Sequence, residues 1–379
     1  MKKVFFTMVA VGILFVFVSS ISAFEQTFKK PTTIKEYLAL KKWSKAALYN
    51  PNRPKLIDTT KYKKKPPYKI AYANCSLHNS FGVFSVAEFK ARGEYYKRKG
   101  LVSEVWVTDA QTKVNKQISD VEDLVTKGVD LLTIRPQTMG GLDPIITRLH
   151  KQGLPVICIS RRIKSDNFTS FLTAGLRTEA RQQAVWMAQY LKGKGNIVII
   201  GGVPGAGPDV IRRETFYDTL KYYPGIKVLD DQPGFWQPAK GKEVMAAMIQ
   251  SYGDKIDGVL MDSGLQAAGA VEALVEAGMK VPVTGDFVNG YLKRVWKYKF
   301  PAVAVSFPPS LAGEAVDVAM KILQGIPVPF HYQTQSITIT TVDTPDVWSE
   351  LPWENCVQMD KSDEFWCHNM LTEEQLPYK

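Results

Sequence analysis

The chain of 379 residues carries 48 Lys and Arg against 37 Asp and Glu, a net charge of +11, with 45% hydrophobic and 22% charged residues. That balance belongs to a globular protein with enough apolar material for two domains, and it excludes a collagenous, a disordered or a multi-spanning membrane chain. Four Cys with no Cys-x-x-Cys pair, and four His, leave little material for a disulfide scaffold or a His-rich metal site.

The first residues read as an export signal. Lys2 and Lys3 precede an apolar run from Val4 to Val18, and small residues follow up to Ala23. Charge, apolar run and small residues in that order predict a secretory signal peptide over 1–23 and a mature protein in the periplasm. The run is shorter than the roughly 20 residues that span a bilayer. Residues 24–67 read as a basic N-terminal extension: 13 Lys or Arg and three acids fall between residues 24 and 69. The charge sits on a leader ending in Lys61-Tyr-Lys-Lys-Lys-Pro-Pro, not on a folded face, so a solvated leader and no nucleic-acid partner are expected.

From Tyr68 onward short β-rich runs alternate with helical spacing. Strands are predicted at 69–74, 103–107, 131–134 and 156–159, and after Arg161 the pattern restarts with 171–174, 197–200, 228–230, 259–261 and 281–284. Helices are predicted between them, opening near Thr178, Pro208, Pro238, Leu265 and Gly290. Gly128, Gly153, Gly193, Gly278 and Gly325 stand where helices should stop. The alternation predicts an α/β fold of two similar doubly wound parallel-sheet lobes of about five strands each. Ligands of such sheets bind beyond the carboxyl ends of the strands. Those ends fall at 74–84, Pro136, 160–162, 204–213, 262–264, Asp286 and 306–308.

Four separated segments carry a family resemblance: DAQTKVNKQISDVEDLVTKGVDLLTIRP at 109–136, QGLPVICISR at 152–161, GAVEALVEAG at 269–278 and LAGEAVDVAMKILQG at 311–325. Over 68–343 the chain resembles the periplasmic sugar-binding proteins of ABC importers, the ribose and galactose type, often called type I. The resemblance implies three crossings, placed near Lys164, Ser306 and Gln335, and closure by hinge motion. It implies a first lobe of 68–164 plus 307–334, a second of 165–306 plus 335–343, and a C-terminal extension of 344–379.

A sugar site needs aromatic plates and planar polar groups that exchange hydrogen bonds with hydroxyls. The family's motifs fall on Asn79, Phe81 and Arg161 in the first lobe, and on Arg212, Trp236, Asp262 or Ser263, and Asp286 in the second. Ser306 stands at the second crossing. Phe235 competes with Trp236 for the plate, and Arg162 and Arg213 compete with their neighbours. The departures are Ser160 for an acid, Gly82 for a second aromatic, Asp262-Ser263 for an Asn-Asp pair and Ser306 for Gln. One carboxylate is lost while both arginines remain, so a sugar acid or other anionic polyol is expected, its carboxylate on Arg161 or Arg212.

No catalytic constellation stands out: His78 is the one His near a predicted strand end, and no nucleophile elbow surrounds a Ser or Cys. The Gly-rich run 201–207 lacks the dinucleotide and P-loop fingerprints, and is read as a turn that places Arg212. No cofactor and no metal are expected. The resemblance implies an ABC permease as partner, with a histidine kinase or chemoreceptor as the alternative. Cys356 and Cys367 are close enough to bridge in an oxidising compartment; Cys75 and Cys158 are expected to be buried free thiols.

Overall fold

The computed structural model describes residues 55–334 and 336–366. The expected signal peptide, most of the expected basic extension, Gln335 and the expected Cys356–Cys367 pairing lie outside the described residues. A short antiparallel ribbon of β1 (Leu56–Ile57) and β12 (Val328–Pro329) flanks two six-stranded sheets.

The first sheet contains β2 (Tyr68–Asn74), β3 (Val102–Asp109), β4 (Leu131–Ile134), β5 (Val156–Ile159), β6 (Ser170–Thr173) and β13 (His331–Gln333). Their order is β13-β6-β5-β4-β2-β3, and every pairing is parallel. Helices α1 (Ser80–Arg98), α2 (Val114–Thr126), α3 (Asp143–Lys151) and α9 (Leu311–Leu323) cover it. In β4 and β5 all residues are buried, as near-continuous apolar strands between two helix layers must be.

The second sheet contains β7 (Lys194–Gly201), β8 (Gly225–Pro233), β9 (Gly258–Met261), β10 (Val283–Gly285), β11 (Ala302–Val305) and β14 (Thr338–Thr340). Its order is β14-β11-β10-β9-β7-β8, with only β14 antiparallel to its neighbour. Helices α4 (Leu176–Tyr190), α5 (Gly207–Leu220), α6 (Pro238–Tyr252), α7 (Gly264–Glu276), α8 (Asn289–Tyr298) and the short α10 (Trp353–Cys356) belong to this lobe. Proline in the first turn of α3, α5 and α6 is preset for a helix start and has no N–H to leave unpaired. Gly128 and Gly278, expected at helix stops, adopt φ of 75° and 68°, a left-handed conformation that L side chains rarely adopt. Cys75 and Cys158 are buried free thiols, as expected.

Three boundaries differ from the sequence reading. β6, read as opening the second lobe, pairs with β5 and β13 in the first sheet, because Phe171 packs with Phe168 and so joins the Phe168–Phe330 stack inside that lobe. The first crossing is therefore at 174–175, about ten residues beyond Lys164. The end of the basic extension is not solvated leader: Tyr62 is buried in the first-lobe core, Lys64 pairs with Asp130 at 2.6 Å, and its N–H donates to Leu323 O at 2.9 Å. Residues after 343 also fold onto the second lobe, where Trp353 Nε1 donates to Leu292 O at 3.2 Å.

The three crossings are tied together. Thr334 N–H donates to Thr173 O at 2.9 Å, and Ser336 Oγ donates to Ala174 O. Ser306 N–H donates to Ile337 O at 2.8 Å, while Ser306 Oγ accepts from Ile337 N–H at 2.8 Å.

Candidate functional site

A cavity with about 340 Å³ of empty space, open mouth included, lies beyond the carboxyl ends of both sheets. From the first lobe come Asn79 and Phe81 at the start of α1, Arg135 after β4, and Ser160 and Arg161 after β5. The second lobe adds Pro208 and Arg212 on α5, Trp236 after β8, Ser263 and Leu265 at the start of α7, and Asp286 after β10. Phe307, from the second crossing, and Trp366, from the C-terminal segment, complete the wall.

Local chemistry sets these positions. Asn79 caps α1, its Oδ1 accepting from Gly82 N–H at 3.2 Å, and Ser263 caps α7 through Leu265 N–H at 3.3 Å; cap residues end up beside the cavity because the helices start there. Gly82 could not be an aromatic without movement: a Cβ there would meet Ser76 O at 2.1 Å. Ser160, Phe235 and Trp236 are non-glycine residues with φ of 59°, 56° and 54°, strain of the kind that gathers at ligand sites. Trp236 leans over Gly202, where a Cβ would lie 2.2 Å from the indole.

The doublets resolve on charge. Arg213 pairs with Asp231 and Asp209, and Arg162 with Asp166, whereas Arg161 and Arg212 line the cavity. Trp236 is buried there while Phe235 is partly exposed. Arg212 is neutralised from beneath: Nε and Nη2 donate to Glu179 Oε2 at 2.9 and 2.6 Å, and Asp262 Oδ2 lies 3.6 Å from Nη1. Its guanidinium stacks over Phe307 at 4.7 Å.

Arg135 and Arg161 are different. Both are buried, and among the described residues neither pairs with a carboxylate. Arg161 donates to Gln137 O at 3.0 Å and lies over the Trp236 ring at 5.2 Å; Arg135 lies over Phe81 at 4.7 Å and its Nη1 donates to Asn74 Oδ1 at 3.4 Å, while its Nε has no partner among the described residues. Burial pulls the Arg161 guanidinium down to about 10, so it stays charged at neutral pH. On the other side of the cavity, burial pushes the Asp286 carboxyl up to about 7 against the pull of Arg212, while Gly264 N–H donates to its Oδ1 at 2.6 Å.

Seven of the nine residues expected from the sequence thus line one cavity. Two do not. Asp262 lies behind the wall, accepting from Trp236 Nε1 at 3.1 Å and from Gln266, and it orients the indole and Arg212. Ser306 is a hinge residue bonded to Ile337. Pro208 and Phe307 fall within the strand-end windows without having been singled out, and Ser160, named only as a departure from the family pattern, lines the cavity too. Arg135, Leu265 and Trp366 were missed as wall residues, and so was Glu179 as the partner of Arg212.

The periplasmic binding protein domain model matches residues 70–327, more than half of the chain. This chain belongs to the periplasmic binding protein family. The family consists of binding proteins, not enzymes, and its members are periplasmic. The chain is 29% identical over 201 residues to the xylitol-binding protein of Mycolicibacterium smegmatis, a match covering 53% of this chain and 57% of that relative, so it spans less than two thirds of the relative's length. Among solved structures it is similar to the fructose-binding periplasmic domain of a hybrid two-component system, with TM-score 0.66, 27% identity, and 73% and 91% of the two chains covered. It is equally similar to the periplasmic binding protein of the arabinose ABC transporter of Shewanella sp. ANA-3, bound to L-arabinofuranose, with TM-score 0.66, 25% identity, and 72% and 91% covered. The binding protein described here shares with these structures the two-lobed α/β architecture derived above.

Proposed function

We propose that this protein captures a sugar or sugar-like molecule between its lobes in the periplasm and delivers it to an ABC permease of the inner membrane. The observation that carries this is a cavity where aromatic faces, cap residues, arginines and a carboxyl from both lobes converge. Its ligand-binding residues are Asn79, Phe81, Arg135, Arg161, Arg212, Trp236, Ser263 and Asp286, with Asp262 behind them. The importer reading has support from the likeness to the arabinose transporter component. A periplasmic sensor signalling to a histidine kinase is the second reading, favoured by the likeness to the two-component domain.

The ligand carries a carboxylate or comparable anionic group. A buried charge without a countercharge is costly, and Arg135 and Arg161, whose partners among the described residues are neutral, are two such charges on one wall. Arg212 already has Glu179, so the anion docks on the first lobe and the hydroxyls face Ser263 and Asp286. Helix N-termini at Asn79 and Ser263 add positive potential.

The test is a thermal-shift panel of D-galactose, D-galacturonate, D-xylose, D-xylonate and xylitol. A ligand at 100 times its dissociation constant stabilises by roughly 2.7 kcal/mol. Stabilisation by an acid well above that by its neutral counterpart is expected. Equal shifts for both would remove the anionic reading, and silence across the panel would remove the sugar reading.

A further inference from the structure

The C-terminal segment lies beyond the residues that the family model matches, yet it supplies part of the cavity wall. Residues 357–366 run along the start of α8 and are pinned there by backbone bonds. Asn289 N–H donates to Phe365 O at 2.8 Å and Gly290 N–H to Asp363 O at 2.7 Å. These are first-turn N–H groups, which no carbonyl within the helix can satisfy. The Asn289 side chain donates to Gln358 O at 2.8 Å and Ser362 O at 2.9 Å, and accepts from Gln358 N–H at 3.0 Å. Arg294 pairs with Asp363 at 2.7 Å, and Val288 bridges to Trp366.

All of these anchors are in the second lobe. The contacts to the first lobe come from the last two rings. Trp366 Nε1 donates to Ser80 Oγ at 3.0 Å, its ring meets Phe81 edge-on at 5.3 Å, and Phe365 meets Phe84 edge-on at 5.8 Å. Trp366 is 1% exposed and lines the cavity. Hinge opening would carry the strap away with the second lobe, breaking the Ser80 bond and the edge-on contact with Phe81.

We propose that residues 357–366 form a strap that moves with the second lobe, and that Trp366 is both a wall of the ligand site and the latch that seats on α1 when the lobes close. The wall role rests on the sugar-binding reading; the latch role does not. A latch raises the fraction of closed protein before ligand arrives, and apparent affinity scales with the fraction that is competent to bind.

The test uses the mature full-length protein with Trp366→Ala and Trp366→Phe; the Phe variant keeps a ring against Phe81 but loses the donor to Ser80. Far-UV circular dichroism confirms folding, and the Phe variant carries the test if the Ala variant does not fold. Small-angle scattering without ligand reads the latch. The Ala variant should have a larger radius of gyration than the wild type, with Phe between; superimposable curves from the wild type and a folded variant overturn the latch. Calorimetry with D-galacturonate and xylitol reads the wall. Affinity for whichever binds should fall about tenfold in the Ala variant, and unchanged affinity overturns the wall. Should neither compound bind the wild type, the fault lies with the ligand reading, and the scattering still decides the latch.

Discussion

Arg212, in the cavity wall, and Glu179, behind it, form a buried ion pair, with both guanidinium bonds, 2.9 and 2.6 Å, falling on a single carboxylate oxygen. Oε1 of Glu179 has no partner, so the acid depends on Arg212 for its stabilisation. Removing one member of such a pair leaves an uncompensated charge and costs about 3–5 kcal/mol, whereas replacing both with apolar residues is often neutral. Arg212→Ala should therefore lose stability as well as ligand. The double replacement Arg212→Met with Glu179→Met should recover most of the stability while binding stays lost. Urea denaturation with and without ligand checks both; an Arg212→Ala protein as stable as the wild type would contradict the pairing.

The first-lobe arginines lead to the opposite expectation. Arg161 has carbonyl partners and an indole face but no carboxylate. Arg161→Met should raise the melting temperature of the ligand-free protein, by about 1–2 kcal/mol in stability, while abolishing any preference for acids over neutral sugars. Such an exchange of stability for binding is usual at functional sites. A lower melting temperature in the ligand-free variant would mean that the carbonyls already satisfy the charge.

Much of the fold was legible because local signals agreed with it. The predicted strands 131–134 and 156–159 coincide with β4 and β5, where four residues, apolar but for Thr133, between turns leave little choice of register. Helix starts at Pro208 and Pro238 were visible because proline fixes the first turn. The placement of β6 was not visible: Ser170–Thr173 is equally apolar in either lobe, and its neighbour β13 arrives about 160 residues later. Arg135 was open to the argument that found Asp286, a charge just beyond an apolar strand. Glu179 left a fainter trace, an acid on the buried stripe of α4 with Leu176, Ala180 and Gln183. Trp366 left none, since its partners Ser80 and Phe81 lie at the other end of the chain.

A pH dependence follows from Glu88 as well as Asp286. Burial pushes the Glu88 carboxyl from 4.5 up to about 7, with Glu314 repelling it further, and Asp286 rises from 3.8 to about 7. Both groups bind a proton more tightly folded than unfolded. Their contribution to stability is full below about pH 4 and is lost as pH rises through about 7. Glu88→Gln mimics the protonated form, so it should stabilise the protein by about 1–3 kcal/mol at pH 8 and by much less at pH 5. Denaturation midpoints of wild type and variant at the two pH values test this, and an equal gain at both would place the effect elsewhere.

Ser306 separates a hinge role from a ligand role. Its hydroxyl accepts from Ile337 N–H at 2.8 Å, and its own N–H donates to Ile337 O, joining the second and third crossings. Ser306→Ala keeps the backbone bond and leaves one part-buried N–H unpaired, a loss of about 1 kcal/mol. Because the side chain does not line the cavity, the rank order of affinities across sugars, acids and polyols should be unchanged, even if all of them weaken together as the hinge loosens. A variant that reordered the panel would return Ser306 to the ligand-binding residues, which the family resemblance first implied and the hydrogen bonding to Ile337 argues against.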